Sequence, residues 1–112
     1  MTKYLLSFPA AAMQLTEEQF PEVVADSHTV IEEAKAAGVY VFGGGIDAEV
    51  APVLVTGRGA VSDETYPDVR IDGGFLVLEL PSRAEAVAWA ARVAAACRCP
   101  QEVREFGYDP AS

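Results

Sequence analysis

Apolar residues at every second position open the chain and predict a β-strand. Within residues 3–8, Tyr4, Leu6 and Phe8 share one face, and Pro9 ends the strand because proline has no N–H to donate. Further strand patterns cover residues 39–42, 75–80 and 102–106. Residues 51–55 and 60–62 flank a glycine-rich turn, so we expect a short hairpin there.

Two segments change to the helical period of 3.6 residues, and each begins with a capping signal. Thr16 followed by Gln19 predicts the first helix, which Gly38 ends. Pro21 lies in its first turn or marks a second start after a short turn. Its core-facing stripe is predicted to comprise Phe20, Val24, Ser27, Ile31 and Ala34. Ser82 with Glu85 opens the second helix, whose apolar stripe is Ala86, Trp89, Ala90, Val93 and Cys97.

The resulting order, β-α-β-(β-β)-β-α-β, predicts one α+β domain over residues 1–112 with a ferredoxin-like arrangement. Both helices are expected on one face of an antiparallel sheet, with residues 107–112 as a loose tail. The second face should then alternate with polar residues. Instead, Tyr40 and Phe42 are predicted to share one face, opposite Val39 and Val41, and Phe75 and Val77 alternate with leucines. The surplus apolar face predicts a homodimer whose sheets pack face to face.

Composition narrows the functional classes. The 112 residues include 17 acidic and 8 basic side chains, a net charge of −9, which argues against a nucleic-acid partner. No apolar run approaches the roughly 20 residues of a membrane span, so we expect a cytoplasmic protein. Cys97 and Cys99 are too few for a disulfide framework or a zinc site and are expected as reduced thiols. We expect neither a metal nor a cofactor.

The candidate chemistry centres on His28, the only histidine, on the flank of the first helix's apolar stripe. Imidazole exchanges protons near neutral pH, but the residues alone favour a structural histidine, either partly exposed or hydrogen-bonded to a loop. Asp26 faces elsewhere on the helix, whereas Asp63, Asp68 or Asp72 could reach His28 from an acidic loop. That loop does not match the calcium-binding EF-hand and is expected to be solvated.

Three consecutive glycines, residues 43–45, end the second strand pattern. They lack the G-x-G-x-x-G spacing of a dinucleotide site, so we interpret them as a strand exit with unusual dihedral angles. Close approach of a ligand to their backbone is the alternative.

Several segments, in this order and spacing, resemble the YCII-related proteins, in particular their DGPF-domain branch. They are K-Y-L-L at residues 3–6, the His28 helix with A-A-G-V at 36–39, G-G-G at 43–45, G-G-F-L at 73–76, E-A-V-A-W-A-A at 85–91 and E-V-R at 102–104. Residues 63–66 read D-E-T-Y where D-G-P-F is expected. The resemblance implies a single YCII-like domain in a dimeric α+β barrel. It also implies a His–Asp dyad in a cleft, with His28 as the histidine and Asp63 as the aspartate.

Two functions follow as hypotheses. One is a small-molecule enzyme, such as a lyase or isomerase acting on a cyclic or phenolic substrate. In it His28 takes a proton, Asp63 orients His28, and Tyr66 or the backbone of Gly44 and Gly45 binds substrate. The alternative is a non-catalytic dimeric module that binds a small ligand or regulates a partner. An enzyme predicts His28 in a closed pocket beside a carboxylate, whereas a binding module can leave it solvated. A third possibility, an oligomer-building protein, predicts no pocket.

Overall fold

Six strands and two helices follow one another in the computed structural model, which describes residues 1–112. The strands are β1 (Thr2–Phe8), β2 (Tyr40–Gly45), β3 (Leu54–Val55), β4 (Val61–Ser62), β5 (Gly74–Leu80) and β6 (Glu102–Glu105). The helices are α1 (Phe20–Ala36) and α2 (Arg83–Cys97), and a 3-10 turn over Ala10–Ala12 follows β1. This is the element order that the sequence pattern predicted.

Four strands form one antiparallel sheet in the order β2-β5-β1-β6, and β3 pairs with β4 in a separate hairpin. In the centre of the sheet, Leu6 of β1 lies opposite Leu76 on β5 and Val103 on β6. A four-stranded antiparallel sheet with two helices is an α+β architecture compatible with a ferredoxin-like fold.

The hydrophobic core lies on one face of this sheet. Leu6, Leu78 and Leu80 are at most 1% exposed, and their strands alternate, so these side chains share a face. Both helices contribute to the same cluster, α1 through Ala34 and α2 through Ala86, Ala90, Val93 and Cys97. The predicted stripe of α2 and the placement of both helices on one face are therefore confirmed.

The opposite face, here called the outer face, is apolar at its centre. Leu5, Phe75 and Val77 are half-buried there, and Phe42 is 61% exposed. Salt bridges border this centre, Lys3 with Glu79 at 3.7 Å and Arg104 with Glu102 at 3.2 Å. The predicted second apolar face is thus present, and neither helix covers it.

A β-bulge in β2 changes the predicted faces of that strand. Tyr40 lies opposite Leu78, but Phe42 lies opposite Val77, so the register shifts between them. Tyr40 therefore packs against the helix-side core while Phe42 points to the outer face. The prediction that Tyr40 and Phe42 share a face was wrong. The prediction that the glycines at 43–45 form a strand exit with unusual dihedral angles was wrong as well, because they continue the strand, pair with β5 and have no positive φ.

The predicted cap is confirmed at the start of α2, whereas α1 begins without a side-chain cap. The Thr16 and Gln19 pair forms reciprocal hydrogen bonds, 3.0 Å and 3.3 Å, in a turn just before α1, and the helix begins at Phe20 with Pro21 second. This is the second of the two starts considered above. Gly38 has φ +75°, the left-handed conformation that favours glycine beyond a helix end. Ser82 caps α2 by accepting from the Glu85 N–H at 3.3 Å.

Residues 46–72 connect β2 to β5 and are here called the arm. The paired strands β3 and β4 lie within it, which confirms the predicted hairpin. Every residue of the arm except Leu54 is exposed. Residues 107–112 are exposed as well. Neither helix combines the length and the apolar character that crossing a membrane requires.

Candidate functional site

A cavity of about 290 Å³ lies between α1 and the adjoining ends of β1, β2 and β5. Most of its walls are apolar, since 13 of its 19 lining residues are hydrophobic, so the body of any occupant must be apolar as well. The side of α1 supplies Phe20, Val23, Val24, Ser27, His28, Val30 and Ile31. A cavity of roughly 150 Å³ is enough for benzene, so this one has room for a single substituted ring.

The stripe predicted on α1 explains this wall. Ala34 is fully buried in the core as expected, but Phe20 is 58% exposed and Val24, Ser27 and Ile31 are only half-buried. These four residues line the cavity instead of filling it. The periodicity therefore identified the side of the helix that faces inward, and the cavity occupies the space in front of its first three turns.

His28 lies at the exposed rim of the cavity. Its side chain takes part in none of the hydrogen bonds or ion pairs of the chain, so both ring nitrogens are available to a ligand. No carboxylate oxygen lies within 4.0 Å of it, and Asp26, which faces elsewhere on the helix, pairs with Arg98 at 2.8 Å. The geometry is that of a solvated histidine beside a binding cavity.

Two other polar side chains line the cavity. The Ser27 hydroxyl donates to the Val24 carbonyl at 3.0 Å, so its proton is already used within the helix. Gln101 donates through Nε2 to the Cys99 carbonyl at 3.3 Å, which leaves its Oε1 without a donor. The His28 imidazole and Gln101 Oε1 are therefore the side-chain groups best able to recognise a polar atom of a ligand.

Gly44 and Gly45 also line the cavity, as the ligand-binding prediction requires. Their directions differ, because successive residues of a strand face opposite sides. Gly45 lies opposite Gly74, which in turn lies opposite Phe8 on the helix side, whereas a β-carbon at Gly44 would come 3.7 Å from the Phe42 ring on the outer face. A side chain at position 45 would project towards the cavity, and one at position 44 would not.

Asp63 and Tyr66 are placed elsewhere. Both lie on the exposed arm, and no residue of the arm lines the cavity. Tyr66 is 74% exposed. The single chain thus brings His28, Gly44 and Gly45 together around one cavity but does not add Asp63 or Tyr66 to them. The His–Asp dyad of the catalytic hypothesis is not assembled within one chain.

Cys97 lies in the wall of the cavity, and Cys99 lies just beyond it. Burial raises the pKa of the Cys97 thiol, and the neighbouring Cys99 raises that pKa further. Burial likewise raises the pKa of Cys99. Both cysteines are free thiols, as predicted, and both are held in the protonated, weakly nucleophilic form. No three side chains of His, Cys, Asp or Glu lie together in a way that could hold a metal ion.

Charged pairs fasten the two helices beside the cavity. Arg98 donates from Nη2 to Asp26 on α1 and from Nη1 to the Ala95 and Ala96 carbonyls at the end of α2, each at 2.8 Å. About two turns away, Arg92 pairs with Glu33 of α1. The Arg92 guanidinium also stacks on the Trp89 ring, 4.2 Å from its centroid. These exposed pairs connect α1 to α2 beside the cavity.

Sequence reasoning missed several residues of the site. Met13 and Gln101 line the cavity although both lie in connecting segments outside the helices and strands. No periodicity applies to such residues, so the sequence carries no signal that would place them there. Phe20 and Cys97 were predicted as core residues. Cys97 does belong to the core, whereas Phe20 is 58% exposed, and both line the cavity.

In the comparisons with known proteins, no family model matches the chain, and none of the curated proteins matches it.

Proposed function

We propose that the protein binds a small, mainly apolar molecule in the cavity beside α1. The observation that supports this best is the apolar cavity with an unpaired histidine at its rim. The free Gln101 Oε1 adds an acceptor inside. A ligand with one ring and one polar substituent matches both features, because the ring replaces water on the apolar walls and the substituent meets His28 or Gln101.

The ligand class follows from the two polar groups. Protonated imidazole donates to a carboxylate, and neutral imidazole can accept from a hydroxyl. Gln101 Oε1 accepts only, so it favours a hydroxyl or an amine donor. Phenols and aromatic acids are therefore the preferred classes, in keeping with the cyclic or phenolic substrate expected from the sequence.

Binding is tested with benzoate, phenol and toluene, three single-ring probes that differ in the polar group. In ligand-titrated NMR spectra we expect shifts of the Met13 methyl and of residues around His28. His28→Ala should weaken benzoate binding about 3–10-fold, a small effect because the site is partly solvated, and leave toluene unchanged. Thr29→Ala is the matched control, since Thr29 lies next to His28 and outside the cavity lining. Equal losses for all three probes, or no binding by any, would contradict the proposal.

Acid–base catalysis is the second candidate function. It is favoured by the free imidazole at the mouth of a cavity, where it could exchange a proton with a bound ring. It needs a carboxylate to orient His28, and Asp63 on the arm is the candidate from the sequence. Turnover of a phenolic substrate with a pH profile abolished by both His28→Ala and Asp63→Asn would support catalysis. Binding without turnover in the wild type would contradict catalysis and support the binding function.

We also propose that the chain is a cytoplasmic YCII-like protein that forms a homodimer through its outer face. Supporting the homodimer are the apolar residues Leu5, Phe42, Phe75 and Val77, which two helices on the other side leave uncovered. Two such faces packed together would make the dimeric α+β barrel implied by the resemblance. The ferredoxin-compatible sheet agrees with that arrangement.

The dimer is tested by sedimentation equilibrium at micromolar concentration. Phe42→Glu places a charge in the proposed interface and should yield monomers that remain folded, because Phe42 is 61% exposed in the single chain. Val87→Glu is the matched control, since Val87 is 52% exposed on α2, in the layer on the opposite side of the sheet. A monomeric wild type, or a Phe42→Glu variant that stays dimeric, would contradict this interface.

A further inference from the structure

The arm exposes more apolar side chains than a stable connecting segment of one chain should leave in water. Eight of its apolar residues are 49–74% exposed, namely Ile46, Val50, Val53, Val55, Val61, Tyr66, Val69 and Ile71. The radius of gyration is 15.6 Å, against about 13 Å for a compact domain of this length. Connections this long are uncommon in compact domains unless they are functional.

The hairpin within the arm shows the same exposure in detail. Val55 of β3 lies directly opposite Val61 of β4, and the two are 59% and 65% exposed. An isolated two-stranded hairpin is marginal in water, because it has no layer to pack on. Here the turn is held by Thr56, whose N–H donates to the Ala60 carbonyl at 2.9 Å and whose hydroxyl accepts from the Ala60 N–H at 3.1 Å. The hairpin is therefore shaped locally while its paired valines remain uncovered.

The arm does not cover the cavity of its own chain. Its base is fastened where the Ile46 N–H donates to the Gly73 carbonyl at 2.9 Å and where Asp72 accepts from the Ala10 N–H at 3.0 Å. The cavity lining stops at Gly45 and Gly74, the residues on either side of this base. The arm leaves the body at the sheet end and makes no wall of the site.

The apolar area matches what a second copy would need. Burying one aliphatic or aromatic side chain removes about 60–120 Å² from water, so the eight arm residues offer about 430 Å² at their present exposure. A stable interface buries roughly 800 Å² per partner, of which about 57% is apolar, so the arm by itself offers an apolar area of that order.

We propose that the arm clasps a second copy of this chain, so that its Val55 and Val61 pair is buried on the partner subunit. In a two-fold dimer each arm makes the same contact, so the clasp contributes twice. This inference rests on the proposed homodimer and adds to it a second, separate contact region. It does not depend on the ligand-binding function.

Limited proteolysis of the full chain tests the clasp. Trypsin can cut the arm after Arg58 and Arg70, both exposed. At concentrations where sedimentation shows a dimer, cleavage at these sites should be at least 10-fold slower than after dilution to monomers. A synthetic peptide of residues 46–72 gives the unprotected rate. The double variant Val55→Asp/Val61→Asp should lose this protection and weaken dimerisation at least 10-fold, while Val87→Asp on α2 should change neither.

The outcomes separate the clasp from the other proposals. A dimer whose arm is cut at the peptide's rate overturns the clasp and leaves the outer-face dimer standing. Equal protection in dimers and monomers overturns it in favour of an arm folded on its own chain. A wild type that is monomeric throughout overturns clasp and dimer together, and the benzoate titration reports on ligand binding in every case.

Discussion

The ring of Phe8 lies against the backbone of Gly74, its partner across the β1–β5 ladder. A β-carbon built on Gly74 would come 2.5 Å from Cε1 and 2.6 Å from Cζ of that ring. Both residues line the cavity. The absence of a side chain at position 74 therefore sets where the Phe8 ring lies, and the ring in turn forms part of the wall of the site.

Gly74→Ala should force the Phe8 ring to move and should lower the free energy of unfolding by about 1–3 kcal/mol, the usual range for overpacking. Phe8→Leu in the same chain should recover part of that loss, because the smaller side chain clears the new β-carbon. Urea unfolding of the two single variants and the double variant measures this coupling. Strictly additive losses would show that the two residues do not share the space.

The neighbouring glycines should differ in their effect on binding. Gly45→Val is expected to weaken binding of all three single-ring probes at least 10-fold, because its side chain projects into the cavity. The change fits the fold, since the atom nearest to a β-carbon at position 45 is the Gly73 carbonyl oxygen, at 3.9 Å. Gly44→Val should leave binding within 2-fold, since its side chain lies on the outer face. NMR titration of both variants compares them, and valine suits a strand in either position. Equal weakening would mean that the ligand does not occupy this cavity.

Arg98 ends α2 in the left-handed conformation, with φ 61° and ψ 28°, although it is not glycine. Arg98→Ala should lower the free energy of unfolding by about 1–2 kcal/mol, because it keeps the strained backbone and loses the bonds to α1 and to the helix end. Arg98→Gly should lose less, since glycine adopts this conformation without strain. Asp26→Asn, which breaks only an exposed pair, should lose less than about 1 kcal/mol. Urea unfolding gives the order, and a glycine variant less stable than the alanine variant would contradict it.

Stability should fall at alkaline pH. Burial raises the pKa of Tyr4, with the Glu105 carboxylate adding to the effect, and burial raises the pKa of Cys97 and Cys99. A group whose pKa is higher in the folded state stabilises it below the unfolded pKa, so this stability is lost as the pH rises above about 9 for the thiols and about 10 for Tyr4.

Urea midpoints measured from pH 7 to pH 11 report this loss. Tyr4→Phe should flatten the upper part of the curve. The double variant Cys97→Ala/Cys99→Ala should flatten the lower part, with each variant compared with its own stability at pH 7. An alkaline decline that is unchanged in both variants would show that other groups cause it.

Most of the fold could be predicted from local signals in the sequence. The strand of residues 3–8, the Ser82 cap and the left-handed Gly38 depend on neighbours within a few positions, so periodicity and capping rules were enough to predict them. The surplus of apolar residues on the second face could also be counted from alternation. Candidate residues His28, Gly44 and Gly45 came from the sequence, and they do lie around one cavity.

The tertiary structure decided the rest, because it depends on contacts between distant parts of the chain. The bulge at Val41 turns Phe42 away from Tyr40, and only pairing with β5 reveals it. Asp63 lies on the arm, outside the cavity lining, so His28 has no carboxylate beside it. A sequence determines which face of each element is apolar, since that depends on local period alone. Whether such a face fills a core, lines a cavity or stays exposed depends on the distances between the packed elements.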